Sequence, residues 1–175
     1  VVRDHVLPVL YGLGRNGKSV MLETLGHVLG RDGATTIAAD ALMDATKNGS
    51  AAQPYVYLLR GKRLVWASES NDGRSLNAGL VKSLTGGDTI TTRALYSAPV
   101  TFNPTHKVFL ITNHKPECDV DDEALWDRLL LIPFGLRFVD NPQHPAERQA
   151  DHGLGETLKQ EASGILNWLV KGCLS

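Results

Sequence analysis

In the stretch "VLYGLGRNGKS", Val9 to Ser19, four residues separate Gly12 from Gly17-Lys18-Ser19. Phosphate-binding loops use this spacing. Glycines let the backbone turn its N–H groups onto phosphate oxygens, and the helix N-terminus that follows adds positive potential. Gly12, Gly14, Asn16 and Gly17 would line such a cradle, Lys18 would reach the β- and γ-phosphates of ATP, and the Ser19 hydroxyl would ligate Mg²⁺. Without a strand before it and a helix after it, the same stretch would be only a glycine-rich turn.

Three further residues could complete a hydrolytic site. Glu69 follows the apolar run "LVWAS", and a carboxylate beside a γ-phosphate can orient and polarise the attacking water. Taken alone, it is a surface acid capping a strand. Asn113 follows "VFLIT", where its amide could hold that water or touch the γ-phosphate, though asparagine is also a common turn residue. Arg128, in "ALWDRLLLIPF", suits a charge clamp donated by a neighbouring subunit. An ion pair with Asp127 or Glu123 is its plainer role.

These groups need elements to carry them. "VLPVLY" (6–11), "RLVWASE" (63–69), "KVFLITN" (107–113) and "LLLIPF" (129–134) read as short buried strands. "KSVMLETLGHVLG" has apolar residues at helical spacing and stops at Gly30. Residues 31–50 read as loop with a weak helical turn, and a short helix is expected from about Pro54. "NAGLVKSLTG" is a helix ended by Gly86-Gly87, and "TITTRALYSAPVTFNP" a hairpin turning near Ser97 to Pro99. "DDEALWDRL" is a short helix with acids in its first turn. Residues 142–153 read as polar and mobile. "ETLKQEASGILNWLVKG" is an amphipathic helix with Leu158, Ala162, Ile165, Leu166 and Leu169 on one face. Apolar strands alternating with helices predict a mostly parallel sheet covered on both faces, whose ligands bind at the carboxyl ends of the strands. The phosphate loop, Glu69 and Asn113 all fall there.

Composition bounds the rest. With 175 residues and 42% hydrophobic content, a single domain over residues 1–175 is expected. No apolar run reaches the roughly 20 residues of a membrane span. Position 1 is Val, and the chain reads as a piece of a longer protein. Two cysteines, Cys118 and Cys173, are too few for a disulfide framework. Cys118 lies near His114 without a second ligand pair, so a free thiol is expected rather than zinc. A net charge of −1 excludes nucleic-acid binding over the whole surface and leaves only local basic contacts.

Taken in order, "GLGRNGKS", "RLVWASE", "LVKSLTGGDTITTRALY", "VFLITN" and "WDRLLLIPF" resemble the superfamily 3 helicase core of the phage, plasmid and poxvirus primase-helicase type. The likeness covers Val6 to Phe134, and Asn16 before Gly-Lys-Ser is characteristic of that superfamily. The resemblance implies an AAA+-related P-loop ATPase: a three-layer α/β domain with a β-hairpin insertion, assembled as a homo-oligomer, usually a hexameric ring around DNA. ATP would sit between subunits. Glu69 would be the catalytic acid, Asn113 the γ-phosphate sensor and Arg128 the arginine supplied in trans. Lys82, in the family's extra motif, would also reach the phosphates. The hairpin between Ile90 and Pro104 would enter the pore, with Arg93, Tyr96 and Lys107 as nucleic-acid contacts that could equally be structural. Many relatives carry two adjacent acids where this chain has Ser68-Glu69. Mg²⁺ would then rest on Ser19, the phosphates and water, with Glu69 as its further candidate ligand. The resemblance also implies a cytoplasmic protein of a bacterial host, of phage, prophage or plasmid origin. The competing readings are a regulatory P-loop ATPase that does not act on nucleic acid, a small-molecule kinase and an inactive remnant. A GTPase lacks its Asn-Lys-x-Asp element here.

Overall fold

The apolar run Leu7–Tyr11 forms β1 and leads through the glycine-rich loop into α1 (Lys18–Gly33). Next come β2 (Ala34–Ala38), a 3-10 turn (Ala39–Leu42), α2 (Pro54–Tyr57), β3 (Leu64–Ser68) and α3 (Ala78–Thr85). A hairpin of β4 (Ile90–Thr92) and β5 (Val100–Phe102) precedes β6 (Lys107–Thr112), α4 (Glu123–Trp126) and β7 (Leu129–Pro133). β8 (Arg137–Val139), β9 (Glu147–Gln149), α5 (Leu154–Gln160) and α6 (Ala162–Leu174) follow. The computed structural model describes residues 4–44, 54–68, 75–93, 97–119 and 121–174.

Five parallel strands make the central sheet in the order β2-β3-β6-β1-β7. Successive side chains point to opposite faces, and both faces are covered. Leu7, Val9, Val65, Ala67, Val108 and Leu110 pack with Leu80, Val81 and Leu84 of α3 and Leu125 of α4. Their neighbours Leu10, Leu64, Trp66, Phe109 and Ile111 pack instead with Met21, Leu22, Leu25 and Leu29 of α1. The handedness of the crossovers explains this division. From β1 the chain goes out to one edge, and later connections come back across the sheet. Right-handed crossovers running in opposite directions leave their helices on opposite faces. Burying one leucine of this core stabilises by about 1.5–3 kcal/mol. α1 closes on β3 through Gly26, where a Cβ would stand 2.8 Å from the Trp66 ring.

The sheet, its four expected strands and the hairpin are present, and five details correct the sequence reading. β7, expected to be buried, is an edge strand in which no residue is fully buried. Residues 34–38, read as loop, form the edge strand β2, paired with β3 from Ala34–Leu64 to Ala38–Ser68. Only Ile37 of "ATTIA" is buried, so the apolar run that marks an inner strand is missing. α1 runs on to Gly33 past a break at Gly30, whose φ is 69°. The closing helix is two helices, broken at Glu161. No residue in either is fully buried, and Leu166 is 43% exposed. The polar segment after β7 also has regular structure: β8 and β9 pair in parallel, Phe138 opposite Arg148. The Glu147 carboxylate accepts the backbone N–H groups of Gln143 and His144 at 2.8 and 3.2 Å.

Candidate nucleotide site at the carboxyl edge of the sheet

The loop between β1 and α1 is shaped by its backbone. Gly12 has φ 144°, Arg15 62° and Gly17 87°. A Cβ on Gly12 would lie 2.3 Å from the Phe134 carbonyl oxygen, so only glycine fits where the loop passes the end of β7. The Lys18 ammonium donates to the Gly12 carbonyl and, at 3.0 Å, to Asn16 Oδ1. The Asn16 amide in turn donates to the Phe134 carbonyl at 3.1 Å. Asn16 therefore holds the lysine with one end and β7 with the other. Lys18 is 4% exposed, and burial pushes its pKa below the ordinary lysine value. The cradle presents a desolvated cation, which an anion would relieve.

A hollow of about 330 Å³ opens at this loop. Gly14 to Val20 form one side, and Ser68, Ile111 and Asn113 the other. The ends of β1, β3 and β6 thus meet at one place, at the carboxyl edge expected to bind ligands. A tight turn holds Asn113: the Thr112 hydroxyl donates to the His114 carbonyl at 2.8 Å and accepts the His114 N–H at 3.2 Å. Lys115 lies 5.5 Å from the centroid of the Tyr11 ring, linking the loops after β6 and β1. Ser19 is exposed at the first turn of α1. Glu69, assigned as catalytic acid and metal ligand, lies outside the described residues.

Arg128 and Lys82 are elsewhere. Arg128 immediately precedes β7, and its backbone carbonyl accepts the N–H of Leu7 at 2.7 Å. It therefore sits at the amino edge, while Phe134 at the far end of β7 touches the Gly12–Ser19 loop. Six residues of extended chain span about 20 Å, further than an arginine side chain extends. The guanidinium donates to the Ala124 carbonyl at 2.6 Å, and its buried Nε has no partner among the described residues. Lys82 is ion-paired with Asp122 at 2.7 Å. That hydrogen bond, more than any other contact, holds the Asp122 carboxyl below its usual pKa. Lys82 and Arg128 share a second hollow of about 690 Å³ with His5, Ser83 and Asp88. The structure thus brings the loop and Asn113 together and leaves Lys82 and Arg128 apart from them.

Of the assigned nucleic-acid contacts, Arg93 is exposed just after β4, and Tyr96 lies outside the described residues. Lys107 begins β6 and engages Asp4 through its backbone carbonyl and, at 3.7 Å, its carboxylate. Among the described residues no helix is long and apolar enough to cross a membrane. Nor is any group of three or more His, Cys, Asp or Glu residues there placed to hold a metal.

Two features to which sequence reasoning assigned no site role border the loop: the backbone carbonyl of Phe134, at the end of the expected fourth strand, and β8, whose Phe138 N–H donates to the Arg15 carbonyl at 2.7 Å. The adjacent Phe138 and Val139, both residue types that favour strands, were the available signal for β8.

Residues 10–128 match the family described as "Family of unknown function (DUF5906)". The chain is 34% identical over 173 residues to the protein of Acanthamoeba polyphaga mimivirus named "Putative helicase L207/L206", a match covering 93% of this chain and 18% of that protein. It is 33% identical to "Putative helicase 022R" of Frog virus 3, covering 78% of this chain and 14% of the relative. It is 27% identical to "Putative helicase V13" of Sputnik virophage, covering 91% and 21%. The chain therefore spans less than a quarter of each of these relatives. Among solved structures, the A form apo structure of the NrS-1 C terminal region superposes with a TM-score of 0.66 at 16% identity, over 91% of this chain and 35% of that one. A second apo structure of that region gives 0.64 at 18% identity, over 92% and 36%. At such identities the likeness establishes a shared fold.

Proposed function

The chain belongs to the DUF5906 family, and from that premise and its likeness to viral proteins named as helicases we propose that it is the ATP-hydrolysing motor core of a ring-forming DNA helicase of the AAA+-related superfamily 3 kind. The observation that carries the proposal is the hollow at the carboxyl edge, where the Gly12–Ser19 loop, Ser68 and Asn113 converge while Arg128 stands at the opposite edge.

On this reading the triphosphate of ATP rests on the N–H groups from Gly14 to Ser19. Lys18 exchanges the Gly12 carbonyl and Asn16 for β- and γ-phosphate oxygens. Asn113, across the hollow, orients the γ-phosphate or the water that attacks it. Glu69 takes that water's proton, an assignment supported by its neighbour Ser68 lining the hollow. Bound magnesium would withdraw charge from the phosphates, and the exposed Ser19 hydroxyl fits its coordination.

Arg128 cannot stabilise charge on its own subunit's nucleotide from the amino edge. Its place beside Lys82 in a hollow there supports donation to a neighbour's site. The hairpin enters and leaves at that same edge, where Arg93, Tyr96 and Lys107 would meet DNA phosphates or bases in the pore of a hexamer. A near-neutral subunit can still attract DNA if several copies aim a few basic residues at one axis. A mobile genetic element fits a chain with viral relatives, and we propose a bacterial host's cytoplasm as its setting.

The test is ATP hydrolysis and strand displacement by the longer protein, with and without single-stranded or forked DNA. Stimulation by DNA is expected. Hydrolysis indifferent to every DNA would turn the assignment towards a regulatory ATPase.

A further inference from the structure

A third hollow, of about 590 Å³, lies between the phosphate loop and the β8–β9 sheet. We infer that it receives the base and ribose of the nucleotide whose phosphates rest on the loop. The inference deepens the ATPase reading and depends on it. Arg15, Gly17 and Val20 line both this hollow and the phosphate hollow, so one elongated ligand can occupy the two together. Its volume falls within the roughly 300–1,000 Å³ of small-molecule sites, and its lining is mainly apolar with a few polar groups, as such sites are.

The walls suit a purine. Val20 of α1 and Phe138 and Val139 of β8 supply apolar surface. Phe138 is 37% exposed, an aromatic face left open to water beside the loop, and stacking with a flat base would cover it. The hydrogen bond from the Phe138 N–H to the Arg15 carbonyl ties this wall to the cradle, so the distance between base site and phosphate site is held by backbone. Asp140, also in the lining, lies 2.6 Å from His152 Nε2. Its carboxylate offers an acceptor to a ribose hydroxyl.

The test separates the two halves of the ligand. Calorimetry would measure binding of ATP and of inorganic tripolyphosphate, both with magnesium, to the wild-type chain and to Phe138→Ala, Ala150→Trp and Lys18→Ala. Phe138→Ala should weaken ATP about tenfold, the size of a lost aromatic–base stack. Ala150→Trp, which fills the hollow from a residue that lines it and not the phosphate hollow, should weaken ATP at least as much. Tripolyphosphate affinity should be unchanged in both, which also reports that the loop is intact. Unchanged ATP affinity in both variants would overturn the inference, as would parallel losses for ATP and tripolyphosphate. A wild-type chain that bound neither compound, or a Lys18→Ala chain that bound both normally, would instead remove the phosphate-loop reading itself.

Discussion

At the scale of single residues, the loop's chemistry rests on Lys18 and its shape on Gly12. Lys18→Ala removes the cation proposed to meet the phosphates and should abolish measurable ATP binding by calorimetry, a loss of about a hundredfold or more for a buried charge contact. The same lysine sets a pH dependence. Burial lowers its pKa below 10.5 in the free chain, and phosphate charge would raise it again on binding. The protonated form is the one that binds, so affinity should be flat near neutrality and fall as pH rises through the lowered value. Titration between about pH 7 and about pH 10 would show the decline beginning earlier than for an ordinary lysine. Gly12→Ala meets the Phe134 carbonyl oxygen at 2.3 Å from a backbone at φ 144° and should cost about 2 kcal/mol or more. Gly14→Ala has nothing within 4 Å and should melt close to the wild type. Sequence spacing made these positions legible. What it left out was the reason for Asn16, which bridges Lys18 to the end of β7.

At the scale of elements, β1, β3, β6 and β7 could be read directly because they are nearly continuous apolar runs; the first three are inner strands, and β7 is an apolar edge strand with no fully buried residue. β2 escaped because an edge strand with one buried side chain resembles loop. β8 and β9 escaped because they lie on the surface among charged residues. Another feature invisible to pattern reading is His106, just before β6, which is 1% exposed and whose ring nitrogens have no partner of normal hydrogen-bond geometry among the described residues. Burial pushes its pKa below 6.5, and the backbone of Leu84 and Leu59 offsets only part of this. The unfolded chain then binds the extra proton between the two values. Stability is full above about pH 6.5 and falls as pH drops through that window, with a slope of up to about 1.4 kcal/mol per pH unit. Urea unfolding at several pH values should show this slope, and His106→Leu should flatten it.

At the scale of the whole molecule, the two edges of the sheet divide the proposed labour. The carboxyl edge holds the phosphate loop, and the amino edge holds Arg128, Lys82 and the root of the hairpin. In the assembled longer protein, Arg128→Ala should leave ATP binding intact and reduce turnover about a thousandfold or more, the usual effect of losing an arginine donated in trans. Mixing it with Lys18→Ala subunits should restore hydrolysis, because the intact loop of one subunit then meets the intact arginine of the other. Normal hydrolysis by Arg128→Ala alone would end the intersubunit assignment.

The sequence by itself determined the Gly12–Ser19 loop between a strand and a helix, the four apolar strands and the carboxyl-edge position of Asn113. These depend on short spacings and on runs of apolar residues. Only the tertiary structure decided that Arg128 lies a full strand length from its own loop, that Lys82 is committed to Asp122, and that β8 lines a hollow beside the cradle. Those relations join residues distant in sequence, and sheet order and crossover handedness decide which of them meet.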